Sequence, residues 1–294
     1  TVPFSRNAFK ENIILSTNIT NNNLNKLQNA IINNDIQPSF VDIPNIGVGD
    51  VIKVTLDDKS FTMFDAPLVG VANAADPLFE EYKRPEVIGP WFLKPTEWLS
   101  EAKTVISIFF PFSAQVRESN RKSVDVPSQE WAYGRIEGQA FIKDCITELS
   151  ERLTKEGIKN VVPLLDERFA QVNAGNNFKE YDCVTEKTYG SNWSERHAAF
   201  ACGLGTFGLS KGIITEKGMA GRFASIIIEA EVAADERPYT DVYEYCTMCG
   251  ACVKRCPVQA ISLEEGKNHN ICHAWLMKTK ELCAPRFGCG LCQT

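Results

Sequence analysis

Cys246-Thr-Met-Cys249-Gly-Ala-Cys252-Val-Lys-Arg-Cys256-Pro257 decides how this chain is read. Three thiols, each two residues apart, wrap a short loop around one four-iron cube, and the fourth faces away toward a different cube. Pro257 ends the loop, and the small Gly250 and Ala251 let the backbone approach closely. A zinc ribbon needs two C-x-x-C pairs and four ligands, which leaves this C-x2-C-x2-C-x3-C-P run unexplained. The run therefore predicts iron–sulfur ligation.

Downstream lie Cys272 and then Cys289-Gly-Leu-Cys292. With Cys256 they make four thiolates for a second cube. The first cube then holds Cys246, Cys249 and Cys252 and needs one more ligand. Either Cys283 supplies it, or it follows the last C-x-x-C by a few residues, beyond Thr294, and the sequence stops short of a complete module. Two cysteine groups in one tail suggest the pseudo-duplicated layout of a two-cluster ferredoxin.

Eleven cysteines are present, and eight fall in the last fifty residues. A disulfide scaffold would be short and cysteine-rich throughout, so this distribution points to a reducing, cytoplasmic setting. Cys145, Cys183 and Cys202 are read as packing residues. The net charge of −6 gives no general pull toward nucleic acid or anionic lipid. No apolar run is long enough for a membrane span. The start, from Thr1 to Lys10, lacks a Met and the apolar core of a signal peptide, and Arg6 stands alone, without a twin-arginine pair.

More than two hundred residues precede the cysteine-rich tail, whereas a ferredoxin needs only about sixty, so the larger region should have its own task. Composition shifts after Glu236-Arg237-Pro238, where a boundary is placed. Leu24, Leu27 and Ile31 suggest a short helix. Val51–Leu56 and Phe61–Phe64 suggest a hairpin, and Leu68–Ala72 and Thr104–Phe110 read as core strands. A long helix starts at Ser128, with Ile142, Ile146, Leu149 and Leu153 on one face, and stops at Gly157. Val161–Leu165 reads as a strand and Ser194–Cys202 as a helix. Ile213–Thr215 and Phe223–Ile228 read as a second hairpin.

Gly203, Gly205 and Gly208 superficially form a G-x-G-x-x-G dinucleotide fingerprint. That motif needs a preceding strand and a following helix; here the order is reversed, so a Rossmann reading is rejected. The stretch Glu195-Arg-x-x-Ala199-x-x-x-Gly203-Leu-Gly205-x-x-Gly208, a Gly-rich segment and then a two-cluster tail resemble the epoxyqueuosine reductase and reductive dehalogenase superfamily. Trp131-Ala-Tyr133-Gly134-Arg135 resembles the Tyr-Ala-x-Gly-Arg segment of the epoxyqueuosine reductases. The resemblance covers about residue 64 to the end.

The resemblance implies an α/β fold: residues 64–236 as a nitroreductase-like mixed sheet flanked by helices, residues 237–294 as a small ferredoxin-like domain with two [4Fe–4S] clusters, and residues 1–63 as an extension outside it. It implies cobalamin as a further cofactor, fed single electrons by the clusters and passing them to an organic substrate. A low-potential donor, a ferredoxin or flavodoxin, would be the electron source. Gly203, Gly205, Gly208 and Ser210 are then candidates for corrinoid contact, and Tyr133, Arg135, Glu137 and Glu195 for catalysis.

Epoxyqueuosine reductases carry an acidic residue directly after the Gly-Arg pair. Here that position is Ile136, and Glu137 comes one later, about 100° around a helix. A tRNA substrate is left open by the resemblance, while the acidic charge argues against nucleic acid. The alternative is an electron-transfer or activator protein for a partner enzyme, without cobalamin. A flavin in the same fold is a third reading. His197 is read as a hydrogen-bonded structural residue, His269 as solvated, and His273 as a neighbour of a cluster.

Overall fold

A computed structural model describes residues 53–56, 59–173 and 175–294. The short helix expected around Leu24–Ile31 lies outside them.

The described chain begins with a hairpin, β1 (Lys53–Leu56) against β2 (Lys59–Thr62), with a shorter connection than the sequence suggested. Next come β3 (Leu68–Asn73), two one-turn helices, α1 (Leu78–Glu81) and α2 (Pro95–Trp98), and β4 (Thr104–Pro111). α3 (Ala114–Lys122) leads to α4 (Gln129–Lys155), which Ser128 starts by accepting the Trp131 N–H at 3.1 Å. Gly157, at φ +76°, closes it. Then follow the two-residue β5 (Asn160–Val161), β6 (Gln171–Asn173) and β7 (Tyr189–Ser191). α5 (Glu195–Ala201), capped by Ser194, is followed by β8 (Gly205–Phe207), β9 (Ile213–Thr215) and β10 (Gly221–Ile228). The tail holds α6 (Ala251–Lys254), the small pair β11 (Ile261–Ser262) and β12 (Gly266–Lys267), and α7 (His269–Leu282).

The central sheet has the order β3-β4-β10-β5 and is sandwiched between helices, as an α/β fold requires. Alternation along the strands sorts the two faces. Ile106, Ile108, Ala224, Ile226 and Ile228 pack with Ile142, Ile146, Leu149 and Leu153 of α4. Val105 and Ile227 join Trp193, Ala198, Ala201, Cys202 and the aromatics Phe79, Phe92 and Trp98 on the side of α5.

Three expectations are corrected. The sheet is antiparallel at every pairing rather than mixed, because each strand enters beside a neighbour running the other way. β10 does not form a hairpin with β9. Its apolar run, buried from Ala224 to Ile228, is paired on both edges by β4 and β5, and β9 pairs with β8 instead. Residues 161–165 are mostly not a strand, because Pro163 cannot donate to a ladder and starts a 3-10 turn over Pro163–Leu165.

The tail has almost no apolar core. After Tyr239 the fully buried hydrophobic residues are Ala260, Ile261 and Leu291, while Val242, Tyr245, Met248, Leu263, Ile271, Met277 and Leu282 are exposed. Two polar clamps tie it to the rest of the molecule. The Arg255 guanidinium donates to the carbonyls of Asn120 at 3.1 Å and Arg121 at 3.0 Å, at the end of α3, and Asn120 Nδ2 donates to the Cys289 carbonyl at 3.3 Å. No helix among the described residues is long and apolar enough to cross a membrane.

Candidate functional site

The two C-x-x-C loops are built alike. In each, the residue after the first cysteine is a glycine in the left-handed region, Gly250 at φ +71° and Gly290 at φ +68°, followed by a short helical turn. In each, the backbone two residues on, Ala251 or Leu291, hydrogen-bonds the first sulfur, that of Cys249 or Cys289, and favours its thiolate. Pseudo-duplication in the sequence thus becomes duplication of local geometry.

The thiols fall into two groups. Cys252 feels the charges of Cys246 and Cys249. Cys292 feels those of Cys289, Cys272 and Cys256, with Lys267 opposing them. Cys256 belongs to the second group although it is contiguous with the first, and its Sγ accepts the Ala260 N–H at 3.1 Å. Cys283 caps the far end of α7, about 16 Å along the helix from Cys272 at 1.5 Å per residue, and is not among the charges felt by Cys249 or Cys252. Among the described residues no group of three or more His, Cys, Asp or Glu side chains is gathered as a single metal ion needs. The scarcity of buried side chains in the tail fits inorganic cubes serving as its core.

The second thiol group forms one wall of a cavity of about 570 Å³, a volume that includes the room a cube would take. The opposite wall comes from α4 (Trp131, Arg135, Gln139), the start of α5 (Glu195, Arg196) and the start of β10 (Arg222, Phe223). The tail also supplies His269, His273 and Trp275.

Glu195 has both carboxylate oxygens buried without a hydrogen-bond partner. Burial pushes its pKa up to about 7; the neighbouring Ser225 hydroxyl, which accepts Trp193 Nε1 at 2.9 Å, pulls the other way but is not in bonding geometry with the carboxyl. Burial holds the Arg135, Arg196 and Arg222 guanidiniums below their usual range, Arg222 at about 9. Arg196 lines the cavity and keeps much of its surface exposed. Burial also lowers His269 to about 4, against the Tyr189 ring at 4.8 Å.

Of the expected catalytic residues, Arg135 and Glu195 line the cavity, and Tyr133 and Glu137 do not. Glu137 pairs with Arg286 at 2.6 Å, and that guanidinium lies 3.5 Å from the centroid of the Tyr133 ring. The expected corrinoid contacts are elsewhere too. A β-carbon on Gly203 would approach the Glu236 carbonyl at 3.1 Å, one on Gly205 would overlap the Ile214 carbonyl, and one on Gly208 would meet Ile214 and Met219 at 3.2 Å. Ser210 is buried with Oγ 3.8 Å from Met219 Sδ. These positions serve the packing of the β8–β9 hairpin.

Gln139, Arg196 and Arg222 were not singled out as site residues from the sequence, because they come from three separate segments. His269, expected to be solvated, is half-buried on the cavity wall. His197 is structural as read, with Nδ1 2.8 Å from Ser194 Oγ and its ring between Tyr82 and Phe207. Cys202 is buried as expected, whereas Cys183 is exposed rather than packed.

A family model described as a 4Fe-4S binding domain matches residues 239–262. No curated protein matches. Among solved structures, epoxyqueuosine reductase from Streptococcus thermophilus is 17% identical over 76% of this chain and 60% of that one, at a TM-score of 0.43. The Bacillus subtilis enzyme is 19% identical over 76% and 59%, at 0.44. The catabolic reductive dehalogenase NpRdhA is 12% identical over 68% and 24%, at 0.41. The chain thus spans about 60% of the length of the epoxyqueuosine reductases it matches. It carries a 4Fe-4S binding domain, and the solved structures it is similar to include epoxyqueuosine reductases and reductive dehalogenases.

Proposed function

We propose that this chain is an iron–sulfur reductase that takes up single electrons at the Cys246/Cys249/Cys252 site, passes them to the Cys256/Cys272/Cys289/Cys292 site, and delivers them to an organic acceptor in the adjoining cavity. The observation that carries this reading is the shared wall: the second thiol group lines the same cavity as Glu195, Arg196 and Arg222. The cubes would supply one-electron reducing power at a potential set by their surroundings. The chain's residues do the rest. Cys249 lies exposed beside the exposed Met248, at the side where a low-potential donor would approach. Glu195, neutral below about pH 7, holds a proton for the reduced product. Arg196 and Arg222 orient the acceptor, and the aromatic walls exclude water.

Cobalamin in this cavity is the finer form of the proposal. Flat walls at Trp131, Trp275 and Phe223, and the unpartnered buried donor Trp275 Nε1, suit a corrin with neutral amide arms. Those residues would hold it, rather than Gly203, Gly205, Gly208 or Ser210. When bound it would supply a strongly reducing metal centre beside the acceptor. A tRNA acceptor rests only on the neighbouring epoxyqueuosine reductase solved with an epoxyqueuosine-modified tRNA stem loop.

Elemental analysis of anaerobically purified protein, supplied with cobalamin, tests both levels. About eight iron per chain and about one cobalt are expected. Eight iron without cobalt removes the corrin and favours a protein that passes electrons to a partner. Zinc in place of iron removes the whole reading.

A further inference from the structure

Three guanidiniums, of Arg135, Arg196 and Arg222, line one cavity, and none is in an ion pair among the described residues. Lys143 and Lys267 line it as well. Among the described residues the only carboxyl on its walls is Glu195. Concentrating cations in a partly desolvated chamber is costly unless something anionic joins them.

The second cube accounts for part of this charge. Arg135 faces Cys272, and Arg196 faces Cys272 and Cys292, so both have thiolates as neighbours. Arg222 is different. The charges it feels are Arg135 and Arg196, both of which repel it. Its Nε donates to Gln139 Oε1 at 2.8 Å, a neutral acceptor, and Gln139 Nε2 is left buried with no partner. Arg222 of β10 and Gln139 of α4 therefore set a cation and an unused amide donor side by side on the cavity wall. Guanidinium and amide donors in one plane are the usual means of gripping a carboxylate or phosphate.

We propose that the acceptor is an organic oxyanion, held by Arg222 and Gln139 with Arg196 and Arg135 on its cube-facing side. This rests on reading the cavity as the acceptor's site. The aromatic walls would cover its apolar body, and the oxyanion would fix which end faces the second cube.

Isothermal titration of cobalamin-free, cluster-loaded full chain tests it with four probes: isophthalate, phenyl phosphate, uncharged isophthalamide and hydroxocobalamin. The expected result is binding of isophthalate or phenyl phosphate at least ten-fold tighter than isophthalamide, weakening as salt rises. The tighter of the two identifies carboxylate or phosphate. Arg222→Gln should weaken that probe at least ten-fold while iron content and cluster absorbance stay unchanged, and Arg222→Lys should recover part of the loss. Equal binding of isophthalamide overturns the proposal. So does binding of hydroxocobalamin alone with sensitivity to Arg222→Gln, which gives the arginine to the cofactor's phosphodiester. So does a fall in the second cube's midpoint potential in Arg222→Gln without any loss of anion binding. A chain without clusters fails the preceding reading instead, and the iron count separates the two failures.

Discussion

Gly290 lies flat against the indole of Trp131, so closely that a β-carbon there would overlap Nε1, Cε2 and Cζ2 of the ring. Its backbone is also left-handed, at φ +68°. One residue thus turns the second C-x-x-C loop and seats it on α4. Gly290→Ala should add overpacking of about 1–3 kcal/mol to about 1–2 kcal/mol of backbone strain. The second cube should be lost, with iron falling from about eight to about four per chain. Gly157, at φ +76° with nothing within 4 Å of a built β-carbon, is the control. Gly157→Ala should lower thermal stability by the strain alone and leave both cubes in place.

Cys256 follows Cys252 by four residues yet is grouped with Cys272, Cys289 and Cys292. Cys256→Ala should therefore strip the second cube and spare the first. Cys249→Ala should do the reverse. Iron analysis and electron paramagnetic resonance of the reduced proteins distinguish the two, and loss of the same cube in both variants would contradict the grouping.

Glu137 is clamped to Arg286 at 2.6 Å, with side-chain exposures of 42% and 25%. An ion pair this open is worth about 0–1 kcal/mol. Glu137→Gln should leave electron delivery to an artificial acceptor within about two-fold of the parent and shift the thermal midpoint only slightly. A drop of about a hundred-fold would restore Glu137 to the chemistry.

Glu195 gives a pH signature. Its pKa rises from 4.5 in the unfolded chain to about 7 in the fold. Between those values the folded state keeps a proton that the unfolded state has lost. Stability relative to Glu195→Gln should be full below about pH 4.5 and decline as pH rises through 7, by on the order of 3 kcal/mol in all. Denaturant titrations of both proteins at pH 5 and 8 measure it. A gap that does not change with pH would place the carboxyl in a more polar setting.

The cysteine spacing by itself determined that the tail carries a 4Fe-4S binding domain, because a cube's ligands come from short loops whose geometry is local. The helix over Gln129–Lys155 and the strands over Leu68–Asn73 and Thr104–Pro111 were equally legible, being long apolar patterns with clear periods. The partner of β9 was not, because pairing depends on which edges the sheet leaves open. Nor was the cavity. Arg135, Arg196 and Arg222 are separated by 61 and 26 residues and carry no shared motif. Only tertiary structure could gather them beside Cys272, because desolvation and mutual repulsion are properties of an enclosed volume, and no stretch of chain encloses one alone.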